Sequence, residues 1–172
     1  MDPLQEKFER GVGDRFASWI SAVYGEPCIF LRRADRAPDL VYLYRGSELF
    51  IEITAAYYDE KKHAEFLWKG AKNAPDAPAS WFGINPDKSL ATAVITRIVA
   101  KAKKAYGSNT ALVIEIPPGV TSAERLEELL SAQILPDTNF IGIFVVGNFP
   151  QTGSSAGGER VLALKPFLHH AD

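Results

Sequence analysis

The chain has 172 residues, of which 47% are hydrophobic and 23% are charged, and its formal net charge is −2. This length supports one full hydrophobic core and is too short for two comfortable domains, so a single α/β domain is expected over residues 1–172. The slightly negative charge excludes a global field that attracts nucleic acid, so any contact with nucleic acid must be local.

The single cysteine and the first residues predict the cellular compartment. Cys28 excludes an internal disulfide framework and a cysteine-based zinc site, which fits a reducing environment, and we expect it to be buried in a strand. The first residues are charged and lack the apolar segment of a secretion signal, and no later run approaches about 18 apolar residues. A cytoplasmic protein without membrane association is therefore expected.

Helical and strand periodicities follow each other in the first third of the chain. Apolar residues recur at helical spacing from Pro3 to Tyr24, and Gly25 with Pro27 ends the helix. Three strands are predicted next, at residues 28–32, 40–45 and 48–55, with Gly46 and Ser47 in the last turn. The pattern indicates a helix followed by a three-stranded meander.

The second part of the chain alternates helices and strands after an insertion. The insertion covers residues 57–87 and contains a predicted short helix at 61–72. Asp87 or Ser89 caps the next predicted helix, which runs through Tyr106 until Gly107 ends it. The remaining predicted elements are a buried strand at 110–116, a helix capped by Ser122, a strand at 140–146, a flexible loop at 151–158 and an edge strand at 161–164.

Two acids stand out in the meander. Asp39 follows Pro38 at the start of the second strand, and Glu52 lies inside the third strand, whose other residues favour burial. A carboxylate buried in such a strand is costly unless it is paired or bound to a metal. The alternative is that Glu52 lies on a solvated face or pairs with Arg32 or Arg45.

The arrangement of these residues resembles the PD-(D/E)XK nuclease superfamily. Pro38 and Asp39 are followed by twelve residues and then by Glu52, Ile53 and Thr54, whereas the superfamily usually has a Lys at the position of Thr54. The predicted order of elements over residues 4–146 also resembles the αβββαβ core of that superfamily. The resemblance implies a restriction endonuclease-like α/β fold with a mixed central sheet flanked by helices.

The resemblance also implies two further site residues. The superfamily commonly adds an acid from the first helix, and Glu9 is the better candidate because it borders the apolar stripe; an ordinary exposed helix Glu is the alternative. Some members supply the Lys from a neighbouring helix, and Lys101 borders the core face of the helix after the motif. Arg97 lies one turn earlier on a similar face.

The chemistry implied by the resemblance is metal-assisted hydrolysis of phosphodiester bonds. Asp39, Glu52 and the Ile53 carbonyl would supply the hard oxygen ligands that Mg²⁺ (or Mn²⁺) prefers, and the Thr54 hydroxyl could order a metal-bound water. Lys101 or Arg97 would offset negative charge in the transition state. The expected partner is nucleic acid, with DNA favoured, and the aromatic insertion offers a surface for a homodimer.

Two other functions remain open at this point. Because Thr54 carries no positive charge, the chain could be a catalytically impaired PD-(D/E)XK-like protein that binds nucleic acid or a partner protein. It could also be an unrelated α/β interaction protein in which both acids are surface residues. Local cation clusters that could contact nucleic acid are found at residues 32–36, 61–72 and 101–104.

Overall fold

The computed structural model describes residues 2–57, 68–72, 85–119, 121–151 and 157–167. The helices are α1 (Pro3–Tyr24), α2 (Pro86–Ala102) and α3 (Ala123–Ser131), and a further helical turn covers residues 68–71. The strands are β1 (Cys28–Arg33), β2 (Leu40–Tyr44), β3 (Ser47–Ala55), β4 (Thr110–Glu115), β5 (Gly142–Phe149) and β6 (Gly158–Lys165).

All six strands belong to one mixed sheet in the order β1 to β6. The strands β1, β2 and β3 form an antiparallel meander, β4 and β5 continue it in parallel, and β6 returns antiparallel to β5. One hydrophobic cluster packs α1 on one face of the sheet, and a second packs α2 and α3 on the other. The prediction of an α/β fold with a mixed sheet flanked by helices is confirmed.

The residues at both ends of α1 fix its length. The Asp2 side chain caps the N-terminus by accepting a hydrogen bond from the Leu4 N–H at 3.0 Å, and Pro3 occupies the first helical turn, where its missing N–H costs nothing. Gly25 ends the helix with φ of 74°, a left-handed conformation that glycine adopts without strain. The predicted bounds of this helix are therefore correct.

Gly13 allows α1 to lie directly on β2. A Cβ atom at this position would stand 2.5 Å from Leu40 Cδ1 and 2.6 Å from Tyr42 Oη, distances at which either the helix or these two side chains would have to shift. Around this contact, Val12 and Phe16 are fully buried against the sheet. The close approach places the N-terminal half of α1 beside the start of β2, which Asp39 precedes.

The N-terminus of α2 differs from the prediction. The helix begins at Pro86, and Asn85 takes the cap position without a side-chain hydrogen bond, so neither Asp87 nor Ser89 is the cap. The Asp87 carboxylate instead accepts a hydrogen bond from Arg125 Nε at 3.1 Å. Its charge thus ties α2 to α3 and remains within the first helical turn, where the helix dipole favours acids.

The C-terminus of α2 also differs. The helix was predicted to continue through Tyr106, but it ends at Ala102. Beyond this end, the Tyr106 ring packs against Phe140 with a centroid distance of 5.0 Å, and its hydroxyl reaches the sheet. The helix thus ends just before the segment in which Tyr106 makes its tertiary contacts.

Other predicted segments shift or lie outside the described residues. The strand predicted at 140–146 begins and ends later, and the edge strand predicted at 161–164 is longer because it pairs along β5. Cys28 is only half-buried because β1 is an edge strand, and this burial raises the pKa of its thiol to about 11. Most of the predicted insertion (58–67 and 73–84) and of the predicted loop (152–156) lies outside the described residues.

Candidate metal centre

Glu52 is a buried acid on the α2 face of the sheet. Its neighbours Ile51 and Ile53 pack into the cluster beneath α1, so the alternation of a strand directs Glu52 to the opposite face. The residue as a whole is 3% exposed. The expectation that this carboxylate needs a partner is confirmed, and its alternative of a solvated face is wrong.

The partners of Glu52 bind only one of its two carboxylate oxygens. Oε1 accepts hydrogen bonds from Lys101 Nζ at 2.5 Å and from Tyr106 Oη at 3.0 Å. Oε2 is buried and has no hydrogen-bond partner among the described residues. A buried oxygen of this kind retains its desolvation cost unless a further donor or a cation binds it.

Two hydrogen bonds to β3 hold Asp39 next to Glu52. Its N–H donates to the Ile51 carbonyl at 3.0 Å, and its Oδ2 accepts from the Ile53 N–H at 2.8 Å. The two hydrogen bonds bracket Glu52 in the sequence. Asp39 is therefore bonded to the two residues of β3 that flank Glu52.

The environment of Asp39 disfavours its charged form. Burial is the main cause and the Glu52 carboxylate is the second, and together they raise the pKa of Asp39 to about 6, against the lowering effect of the Ile53 N–H. A carboxyl whose pKa is raised by burial and by a neighbouring carboxylate is stabilised in its ionised form when a cation binds beside it.

The raised pKa predicts a pH-dependent stability change on replacing Asp39 with Asn. The folded state holds the Asp39 proton more tightly than the unfolded chain, so the free energy of unfolding falls as pH rises from about 4 to about 6 and stays lower above that. Without metal, Asp39→Asn should therefore exceed the wild type in stability at pH 8 by about 1 kcal/mol, a value reduced for the partial exposure of the carboxyl. Urea unfolding in EDTA measures this difference.

The same measurement at pH 4 is the control for this prediction. There the Asp39 carboxyl is protonated in the folded wild type, so the two proteins should have nearly equal stability. A stability difference that is the same at pH 4 and pH 8 would show that the substitution acts through packing, and a less stable variant at pH 8 would contradict the raised pKa.

Lys101 brings a positive charge to the place where Thr54 lacks one. Thr54 follows Glu52 by two residues and so lies on the same face of β3. Lys101 reaches the same region from the last turn of α2, and both residues line one cleft of about 430 Å³. Arg97, one turn earlier on α2, lines this cleft as well.

Glu9 lies in the same cleft but is engaged elsewhere. It is 5% exposed, which rules out an ordinary exposed helix position. Its Oε1 accepts from Gln5 Nε2 at 2.8 Å and its Oε2 forms an ion pair with Arg33 Nη2 at 2.6 Å. Both oxygens of this predicted third acid therefore already have donors, although Glu9 is near enough to contribute to the raised pKa of Asp39.

The acids do not form a compact three-ligand set. Among the described residues, no group of three or more His, Cys, Asp or Glu side chains is close enough to hold a metal ion. The donors that fit a hard cation are the unpartnered Glu52 oxygen and the Asp39 carboxylate, and backbone oxygen and water would complete such a shell.

Sequence reasoning missed two residues of this region. Tyr106 was placed on the apolar side of a helix, and no sequence signal marks a tyrosine beyond a helix end as a partner of Glu52. Arg33 was placed in a cation cluster near the motif, but it pairs with Glu9, and its neighbour Arg32 pairs with Glu48. The alternative partner Arg32 for Glu52 is therefore wrong.

Neither a membrane-spanning helix among the described residues nor a similar known protein adds to the description of this site. None of the helices in the described ranges combines the length and apolar character needed to cross a lipid bilayer. No protein-family model, curated protein or solved structure matches the chain.

Proposed function

We propose that this protein is a metal-dependent nuclease of the PD-(D/E)XK type that hydrolyses phosphodiester bonds of DNA. The observation that carries the proposal is the buried Glu52 oxygen that has no hydrogen-bond partner in the described part of the chain, beside the Asp39 carboxyl and the Lys101 ammonium. An acid pair with a lysine beside it supplies the groups that metal-assisted phosphodiester hydrolysis requires.

The topology supports the proposal. The order α1, β1, β2, β3, α2, β4, with an antiparallel meander and a parallel fourth strand, has the element order of the αβββαβ core. Asp39 precedes the second strand of the meander and Glu52 lies within the third. Because one fold can serve many functions, the side-chain geometry carries more weight than the topology.

The described residues fit a magnesium ion. Asp39 and Glu52 offer carboxylate oxygens, and Ile53, whose N–H binds the Asp39 carboxylate, follows Glu52 directly in the sequence and would offer its carbonyl. When bound there, Mg²⁺ would lower the pKa of a water molecule and polarise a phosphoryl oxygen. The raised pKa of Asp39 fits this assignment because a divalent cation would favour the ionised carboxylate.

Lys101 and Thr54 have separate roles in the proposed reaction. The Lys101 ammonium would donate a hydrogen bond to the attacking water or to a phosphoryl oxygen, which stabilises the negative charge that develops there. The Thr54 hydroxyl would accept or donate a hydrogen bond to orient that water. Together they replace the single strand lysine of the superfamily by two side chains that line the same cleft.

A cleavage assay tests the proposal. We expect the full chain to cleave plasmid or single-stranded DNA when Mg²⁺ or Mn²⁺ is supplied and to stop when EDTA is added. Asp39→Ala should slow cleavage by about 10²-fold or more, as expected for a group that positions transition-state charge. RNA of the same sequence provides the substrate comparison.

Asp35→Ala is the matched control, because Asp35 is an exposed acid four residues before Asp39. Its cleavage rate should equal that of the wild type. Equal loss of activity in both variants, or cleavage that persists in EDTA, would contradict a metal centre at Asp39.

A catalytically impaired nucleic-acid-binding protein is the second candidate. It is favoured by the ion pair between Lys101 and Glu52. Among the described residues of α2, Lys101 is the one lysine that lines the cleft with Thr54, and its charge is already used by this ion pair. This candidate predicts magnesium binding that Glu52→Ala removes, DNA binding by gel shift and no cleavage in any metal.

A further inference from the structure

A second cavity lies at the opposite end of β3 from the candidate metal centre. It has a volume of about 460 Å³ and is lined by Ser47 and Leu49 at the start of β3 and by neighbouring parts of the fold. The five residue steps from Ser47 to Glu52 correspond to roughly 17 Å along a strand. The cavity has the size of a small-molecule site and is separate from the metal centre.

One wall of this cavity is aromatic. Tyr24 from the end of α1, Tyr44 from β2 and Phe167 after β6 all line it. The ring centroids of Tyr24 and Tyr44 each lie 6.2 Å from that of Phe167, with tilted planes. Rings at these separations form a continuous apolar surface against which a planar aromatic ligand can stack or pack edge-on.

Two cations line the same cavity, Arg45 from the turn between β2 and β3 and Lys165 from the end of β6. Lys165 Nζ donates to the Phe140 carbonyl at 2.6 Å and to the Thr138 carbonyl at 3.3 Å, which fixes its position and leaves one of its three N–H donors for a ligand. The Arg45 guanidinium lies 5.3 Å from the centroid of the Tyr44 ring. Within the described part of the chain, neither cation forms an ion pair and no acid lines the cavity.

Uncharged polar groups complete the lining. Asn109 and Asn139 line the cavity beside Thr138, and the Asn109 side-chain amide also donates to the Glu48 carbonyl. The Thr138 hydroxyl is buried and has no hydrogen-bond partner among the described residues. Amide and hydroxyl groups of this kind match the mixed donors and acceptors on the edge of a nucleobase.

We infer that this cavity binds a nucleoside monophosphate, with its base against Tyr24, Tyr44 and Phe167 and its phosphate at Lys165 and Arg45. The aromatic wall supplies the stacking surface, and two cations without an acid supply the charge that an anion requires. The same unit could be presented as a free nucleotide or as the phosphorylated end of a strand. The inference does not depend on metal-dependent cleavage.

Calorimetric titration of the full chain tests the inference. With EDTA present to prevent cleavage, AMP, GMP, CMP and UMP are titrated separately, with adenosine and inorganic phosphate as comparison ligands. At least one nucleotide should bind saturably and more tightly than adenosine or phosphate. Arg45→Asn, which suits the left-handed backbone at φ of 50°, should weaken this binding about tenfold or more.

Lys165→Met should weaken nucleotide binding in the same way, and its unfolding midpoint shows whether the carbonyl contacts were needed for folding. Arg32→Met is the matched control, because Arg32 is exposed, pairs with Glu48 and does not line the cavity.

The origin of the ligand is decided by competition with a short 5′-phosphorylated oligonucleotide. Competition assigns the cavity to strand ends, and its absence assigns the cavity to free nucleotides. The inference is overturned if no nucleotide binds saturably, if phosphate binds as tightly as the nucleotides, or if folded Arg45→Asn binds like the wild type.

Discussion

Replacing Lys101 with Met is expected to lower the free energy of unfolding by about 3 kcal/mol at pH 7. The side chain of Glu52 is 4% exposed and that of Lys101 is 18% exposed, so the substitution leaves a buried carboxylate whose one remaining donor among the described residues is the Tyr106 hydroxyl. Breaking a buried ion pair from one side typically costs about 3–5 kcal/mol, and the partial exposure of Lys101 places the effect at the low end. Urea unfolding measures the loss.

A second substitution in the same chain identifies the cause of this loss. Glu52→Gln removes the charge that needs a partner, so the double variant Lys101→Met with Glu52→Gln should regain most of the stability. Lys104→Met is the matched control because Lys104 is exposed two residues beyond the end of the same helix. If Lys101→Met is no more destabilising than Lys104→Met, the ion pair with Lys101 does not stabilise the buried Glu52 carboxylate.

Moving the lysine from α2 to β3 is expected to restore cleavage lost in the Lys101→Met variant. The single substitution should slow cleavage by about 10²–10³-fold, the usual effect of removing one group that stabilises transition-state charge. Thr54 lies on the Glu52 face of β3 and lines the same cleft as Lys101, so Thr54→Lys in this variant would place an ammonium in the same space. We expect at least about tenfold recovery of the single-turnover rate.

The position of the restored lysine is the essential control. Thr92→Lys in the Lys101→Met chain adds the same charge on an exposed part of α2 and should recover nothing. Recovery by Thr92→Lys would mean that only net charge matters, and no recovery by Thr54→Lys would mean that Lys101 acts from a position that β3 cannot reach.

The fold was largely predictable because its elements have strong local signals. The helix Pro3–Tyr24 has an aspartate cap, an apolar stripe and a terminal glycine, and each contributes its usual local contact. The end of α2 was not predictable in this way. It depends on where the Tyr106 ring packs, and such a contact lies between segments that are far apart in sequence.

The candidate site was predictable in its residues and only partly in its contacts. An acid among apolar strand residues indicated that Glu52 needs a partner, and helical spacing placed Lys101 on the side that faces it. The pairing of Glu9 with Arg33 could not be predicted, because it depends on how α1 lies on the sheet. The close packing at Gly13 sets this position, and sequence alone suggested only a weaker helix there.

The two hydrogen bonds between Asp39 and β3 mean that the sheet determines the distance between the two acids. Backbone and carboxyl of Asp39 occupy successive bonding positions beside Ile51 and Ile53, so the separation from Glu52 is set by strand register and not by side-chain packing. The separation is therefore kept as long as the register between β2 and β3 is kept. A slip of β3 by one residue would instead turn Glu52 towards α1, and the acid pair would be lost in a single step.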